Sequence, residues 1–352
     1  MSTALAMGAL VGCTPTQEPS APLGDPPRTT AAASIATANV ERLGLRLQLG
    51  SSRGDRVIVR WSFPGEVAMA RADLPLVRTP AGLTPREETA GRLPLWLVAP
   101  MRSATRPGVL VVTPLDADSK AWAEAAEAAR TRIAARVRLP RAPLVVEVAA
   151  DVESLARALD QDPVATQVGG GVLPAAVTTS PDGRAGVQVP LHVFVDATQV
   201  SADSGIAAEV LLAHEFVHVA TRSPVRRGIP LWWQEGYADY VAFAAGGVPA
   251  VVRDMGLVAA GPARSEQQGL PSPTDFEQRA EWAYPAARWV VAVLVERAGL
   301  RRDDPATWQR LSAFDDRLSG GQPLEEALDA EFGVGMDELT RAWLRRLEHL
   351  RS

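Results

Sequence analysis

The chain is poor in several residues that would otherwise dictate its fold or its partners. Cysteine occurs once, at Cys13, so no intramolecular disulfide can form within the 352 residues. Lysine also occurs once, at Lys120, and arginine carries almost all of the positive charge. The formal net charge is −5, whereas a nucleic-acid partner usually leaves a basic domain or stripe, so none is expected. No stretch reaches the roughly 18 apolar residues of a transmembrane helix. Histidine is limited to four positions and tyrosine to three, which makes any clustering of either informative. The remainder is ordinary for a globular protein, with 47% apolar and 22% charged residues. At this length the prior points to two domains.

The N-terminus departs from that average. Residues 1–12 form a short apolar run ending in small residues, with no Lys or Arg ahead of it, and the only cysteine follows at once. Leu10-Val11-Gly12-Cys13 resembles the lipobox of bacterial lipoproteins, in which cleavage before the cysteine leaves that residue lipid-modified. From Thr14 to about Ser34 the chain is rich in Pro, Thr, Ser and Ala without a hydrophobic period. Such a segment cannot bury enough surface to order itself. The expectation is a lipoprotein signal segment at 1–12, a disordered tether at 13–35 and lipid attachment at Cys13. The protein is then extracytoplasmic, anchored to the outer face of the bacterial cytoplasmic membrane. The plainer reading is a frayed apolar terminus carrying a stray cysteine.

Beyond the tether the patterning predicts an α+β fold in two parts. Glu41–Leu49 alternates polar and apolar residues as a half-buried strand does. Asp55–Phe63, Arg92–Val98 and Gly108–Thr113 read similarly, separated by Gly/Pro-rich turns. Residues 36–115 are therefore expected to be a small strand-rich domain, with Trp61 and Trp96 in its core. Residues 118–138 switch to helical spacing, with Pro140 just beyond. A strand at Pro143–Ala149 and a helix at Val152–Leu159 follow. Gly169-Gly170-Gly171 reads as a flexible loop, since it lacks the helix and Lys-Ser/Thr of a phosphate loop. Ala175–Ser180, Gly186–Val189 and Leu191–Asp196 read as short strands, with an Asp182-Gly183 turn between the first two. A helix beginning near Ser204 is followed by helices at 231–245, 276–298, 305–318, 323–331 and 336–350. No internal repeat is present, and strands followed by helices make the second part, 118–352, α+β as well.

The chemistry concentrates in His214-Glu215-Phe216-Val217-His218. On a helix the two histidines lie one turn apart on the same face, so both imidazoles can reach one metal ion. In a chain with four histidines such a motif arises by chance roughly 0.003 times. Zinc suits neutral imidazole, accepts a carboxylate as third ligand and keeps a fourth position open for water. Glu215 sits beside the first histidine, where it can take a proton from that water instead of binding the metal. The bland alternative is two histidines on an amphipathic helix. Leu211, Leu212, Phe216, Val217 and Val219 make that helix strongly apolar, so burying both imidazoles and a glutamate without a metal or partners is costly.

A second segment, Trp232-Trp233-Gln234-Glu235-Gly236-Tyr237-Ala238-Asp239-Tyr240, opens a helix after a loop containing Pro224, Gly228 and Pro230. Glu235 and Asp239 are again four apart and share a face. Glu235 can supply the third ligand, and Asp239 can accept from the free ring nitrogen of a ligand histidine, fixing its tautomer. The competing reading of this pair is a solvated helix face.

His-Glu-x-x-His, a spacer and then Glu-x-x-x-Asp on a second helix resembles the gluzincin zinc metallopeptidases. The nearest group is the peptidase MA-like domain found in bacterial lipoproteins, and the resemblance covers about residue 118 to the C-terminus. It implies a zincin-like domain that binds one Zn2+ ion through His214, His218 and Glu235. Glu215 is then the general base, Asp239 stands behind a ligand histidine, and a peptide or protein is the substrate. It further implies an edge strand ahead of the active helix that binds the substrate backbone, a part expected of Leu191–Asp196. Gluzincins commonly use a Tyr or His to stabilise the oxyanion. Tyr284, in Glu281-Trp282-Ala283-Tyr284-Pro285, is the first candidate, with interfacial packing as its plainer role; Tyr237 is the second. His192 is expected to be a satisfied structural histidine and His349 to interact with a helix C-terminus. The functional expectation is a lipid-anchored zinc peptidase. The alternatives are a zinc-containing but non-proteolytic cell-envelope binding lipoprotein, and an envelope scaffold without metal.

Overall fold

In a computed structural model of the chain, residues 36–53, 56–79, 82–85, 93–159, 170–174, 189–249, 257 and 269–351 are described. The segments expected to be a signal and a tether, with Cys13, lie outside these residues, as do the strand expected at Ala175–Ser180 and the turn expected at Asp182-Gly183. So does nearly all of the strand expected at Gly186–Val189. The chain is α+β, with a small antiparallel sheet, a mixed sheet and several helices. Its described residues fall into two compact units, one within 11–127 and 140–204 and the other within 128–139 and 205–352.

The first unit opens with helix α1 (36–42), so the stretch expected to be a strand from Glu41 begins as helix and turns to strand only at Arg46. Strands β1 (Arg46–Arg53), β2 (Arg56–Ser62) and β3 (Ala70–Leu74) form an antiparallel sheet in that order. Along β2, Val59 and Trp61 are buried while Arg60 between them is exposed, the period-two signature of a strand with one wet face. A two-stranded ladder of β4 (Leu76–Thr79) and β5 (Gly82–Pro85) follows. The strand expected at Arg92–Val98 is instead a helical turn, α2 (Leu95–Val98). Leu95, Trp96 and Leu97 are all buried in succession, and a short apolar run cannot be told apart from a strand by periodicity alone. Trp61 and Trp96 meet edge to face with centroids 5.9 Å apart in the core. Buried Asn39 ties α1 to this region: its amide donates to the Trp96 and Ala99 carbonyls, and its Oδ1 accepts from the Met101 N–H.

The mixed sheet has the order β6 (Met101–Arg106), β7 (Val109–Pro114), β8 (Leu144–Ala149), β10 (Leu191–Asp196), β9 (Gly170–Pro174). Helix α3 (Ser119–Ile133) follows β7 and helix α4 (Val152–Leu159) follows β8. Strands β7, β8 and β10 run parallel, and every residue of each is buried, as expected of mostly apolar strands covered on both faces. Two expectations are corrected here. Leu191–Asp196 is not an edge strand, because antiparallel β9 hydrogen-bonds to its outer side. The glycine run expected to be a loop supplies that edge, Gly170 pairing with Val195 and Gly171 with Phe194. Strand β6, from before residue 115, and β8, from after 118, belong to one sheet, so the boundary expected there falls inside it.

His192 on β10 is fully buried, and both ring nitrogens are satisfied. Nδ1 lies 2.6 Å from Glu147 Oε1, and Nε2 lies 2.8 Å from Glu66 Oε1 in the β2–β3 connection. Burial alone disfavours the imidazolium. The charge of Glu66 and hydrogen bonds to both carboxylates outweigh it and push the pKa up to about 9.

In the second unit, α5 (Ile206–Thr221) and α6 (Leu231–Ala244) are followed by α7 (Pro273–Gln278), α8 (Ala280–Arg297), α9 (Pro305–Ser319), α10 (Leu324–Phe332) and α11 (Met336–Arg351). The single helix expected over 276–298 is two. Ser272 and Asp275 form a reciprocal capping box that starts α7, and Arg279 leaves helical geometry at φ −143°, ψ 46°. The core of this unit is aromatic: Trp233 meets Phe314 at 4.4 Å and Phe314 meets Phe332 at 5.3 Å, both edge to face.

Candidate metal centre

Helix α5 carries the first motif, and its burial explains how the motif is held. Residues 212–218 are all buried, as expected of a helix that is apolar nearly all round. His214, Glu215 and His218 are only 5–8% exposed. Arg132, at the end of α3, fixes both site helices: its Nε donates to Glu209 in the first turn of α5 at 2.6 Å. Its Nη1 donates to the Gly246 carbonyl just beyond α6 at 2.8 Å.

Helix α6 can lie close to α8 only because Gly236 has no side chain. A Cβ there would sit 2.4 Å from the Ala287 carbonyl oxygen. The preceding residue, Glu235, is thereby placed against α5. The loop between α5 and α6 is pinned from a third helix, since Asp315 of α9 accepts from Arg226 at 2.5 Å and from Trp233 Nε1 at 3.1 Å.

These restraints bring three donor atoms together. His214 Nε2 and His218 Nε2 are 2.9 Å apart, and Glu235 Oε2 lies 3.3 Å from each. Donors about 2.1 Å from one tetrahedral ion are roughly 3.4 Å apart, so the triangle has the size that a zinc-like cation needs. Among the described residues, these are the three side chains grouped so that they could hold a metal. Behind them, Asp239 Oδ1 lies 2.8 Å from His214 Nδ1. An ionised carboxylate only accepts, so Nδ1 carries the proton and the Nε2 lone pair of a neutral ring points inward. On the other ring, Ser223 Oγ lies 2.7 Å from His218 Nδ1. Lone pairs converging in a buried space repel unless a cation lies between them, which is the chemical fit of this donor set to a divalent metal.

Burial opposes charge on His214, but hydrogen bonds to Asp239 and Glu235 and the negative charges of Asp239 and Glu215 raise its pKa well above the ordinary range. Glu235 is likewise opposed by burial, yet the adjoining His218 and His214 hold its carboxyl well below the usual carboxylate range. Glu215 is raised, foremost by burial, which makes it a stronger proton acceptor than a free carboxylate.

Of the tyrosine candidates, Tyr284 is the one the fold brings here. Its ring centroid is 6.2 Å from that of His214 and 5.3 Å from that of Phe276, and the residue is 37% exposed. Burial of its inner side, followed by the charges of Glu235, Glu215 and Asp239, raises its pKa, so its hydroxyl stays protonated at neutral pH. Tyr237 is instead stacked on Trp233 at 5.0 Å and buried. Residue Ser223 was not reachable from motif spacing. The only hint was a small hydroxyl residue immediately after the motif helix, ahead of Pro224.

No protein-family model, curated protein or solved structure matches the chain. The chemistry of the centre is therefore read from its own donor atoms.

Proposed function

We propose that the chain is a zinc-dependent peptidase of gluzincin type, with a zincin-like domain around the centre. The observation that carries this reading is the convergence of His214 Nε2, His218 Nε2 and Glu235 Oε2, with Glu215 buried beside them but outside the triad. A structural zinc site has no use for a free carboxylate of raised basicity; a hydrolytic one does. Zinc held by these three residues would polarise a scissile carbonyl and acidify a water molecule. Glu215 takes the proton from the attacking water and hands it to the leaving amine. Asp239 keeps the His214 ring oriented, and the Tyr284 hydroxyl donates to the oxyanion that develops on the substrate. The lipobox-like Leu10–Cys13 supports an extracytoplasmic, lipid-anchored location for this activity.

The test pairs metal content with cleavage. The purified wild type is expected to hold one equivalent of zinc. Comparing cell-envelope proteomes exposed to wild type and to Glu215→Ala should show cleavages made only by the former. A chain without stoichiometric zinc sinks the reading. Zinc without any cleavage leaves the non-proteolytic binding lipoprotein in its place.

A further inference from the structure

The two histidines of the centre are backed differently, and the backbone shows how. Helix α5 ends at Thr221. Arg222 then adopts φ 58°, ψ 29° and is the one non-glycine residue with positive φ among those described. L-residues seldom adopt this left-handed geometry. Had the helix continued, residue 223 would have stood about 140° around the axis from His218. The left-handed turn and the short 3-10 segment Ser223–Val225 instead fold the chain back, so that buried Ser223 lies under the ring it follows.

The Ser223 hydroxyl at His218 Nδ1 allows two assignments, since a hydroxyl donates as readily as it accepts. If it donated, His218 would carry its proton on Nε2, the atom facing His214 Nε2 and Glu235 Oε2, and could not offer a lone pair there. If it accepts, Nδ1 carries the proton and Nε2 is free to bind a metal. We propose that Ser223 is a positioning residue. Its hydroxyl oxygen accepts the Nδ1–H of His218 and holds that ring's Nε2 lone pair on the point where His214 and Glu235 converge. The inference rests on the zinc reading and adds an asymmetry to it. His214 is backed by a carboxylate and becomes the more basic ligand, whereas His218 is backed by a neutral hydroxyl, which orients it without adding charge.

The experiment measures zinc affinity by chelator competition in wild type, Ser223→Ala and Ser223→Thr, alongside nitrogen-15 histidine NMR of the zinc-loaded wild type. Removing a partner behind a metal ligand weakens binding by about 10- to 100-fold, and a neutral partner belongs at the low end, so Ser223→Ala should bind zinc roughly tenfold more weakly. Ser223→Thr keeps the hydroxyl and should recover most of that loss. The NMR spectrum should show His218 protonated at Nδ1 and metal-bound at Nε2. Unchanged affinity in Ser223→Ala, or His218 bound through Nδ1, overturns the proposal. The wild-type spectrum decides it even if the variants fail to fold. A wild type that takes up no zinc overturns the zinc reading itself, a different result from a zinc-loaded wild type that is indifferent to Ser223.

Discussion

Asp239 Oδ1 lies 2.8 Å from Nδ1 of His214, joining side chains 25 residues apart on two helices. The contact sets the tautomer of one ring, and it makes the position of α6 part of the centre. Asp239→Asn keeps an acceptor oxygen but removes the charge, and zinc affinity should fall by about 10- to 100-fold. Chelator competition measures it, and an unchanged dissociation constant would place Asp239 outside the centre.

Tyr284 offers a test that separates binding from chemistry. It touches the His214 ring but is not among the three grouped donor side chains. Tyr284→Phe should therefore leave zinc content intact, keep the ring contact with Phe276 and lower kcat by about 10²–10³, the usual cost of losing one oxyanion donor. Equal turnover by wild type and variant would return Tyr284 to a packing role.

Gly236 is a test of the helix packing. Alanine is the better helix former by up to about 1 kcal/mol, yet its Cβ would meet the Ala287 carbonyl at 2.4 Å. Backbone cannot rotate away as a side chain can, and overpacking of this kind costs typically about 1–3 kcal/mol. Gly236→Ala should unfold at lower urea concentration than wild type and bind zinc more weakly, because Glu235 is its chain neighbour. A variant as stable as wild type would mean that α6 and α8 are less closely apposed.

His192 predicts a pH dependence away from the centre. Its folded pKa of about 9 stands above the ordinary 6.5. The folded state thus binds the extra proton, and stability falls as pH rises. The contribution, up to about 3 kcal/mol for a fully buried group, is complete below pH 6.5 and is lost as pH climbs through about 9. His214 titrates in the same direction, so the quantity to follow is the urea-stability difference between wild type and His192→Gln. That difference should shrink between pH 6.5 and 9; a constant difference would mean that His192 is neutral when folded.

How much of this was legible depended on how local each feature is. The i, i+4 pairs, His214 with His218 and Glu235 with Asp239, follow from helical periodicity. The helices at 152–159, 231–245, 305–318 and 336–350 were readable to within a residue or two, because apolar spacing and flanking Pro and Gly residues mark them. Leu95–Val98, expected as strand, and Gly170-Gly171, expected as loop, turned out otherwise, since four consecutive apolar residues or a run of glycines carry no period of their own. Their structure is set by what lies beside them.

The sequence alone determined which residue types could meet a metal and that each pair of them shares a helix face, because an α-helix repeats with a period written into neighbouring positions. Tertiary structure decided the rest. It put β9 outside β10, gave His192 its two carboxylates from distant elements, closed α6 on α8 through Gly236 and turned Ser223 back under His218. Those outcomes depend on strand order, close backbone approach and one left-handed residue. Apart from the local turn at Arg222, they arise from contacts between segments distant in the chain, where no local pattern records the partner.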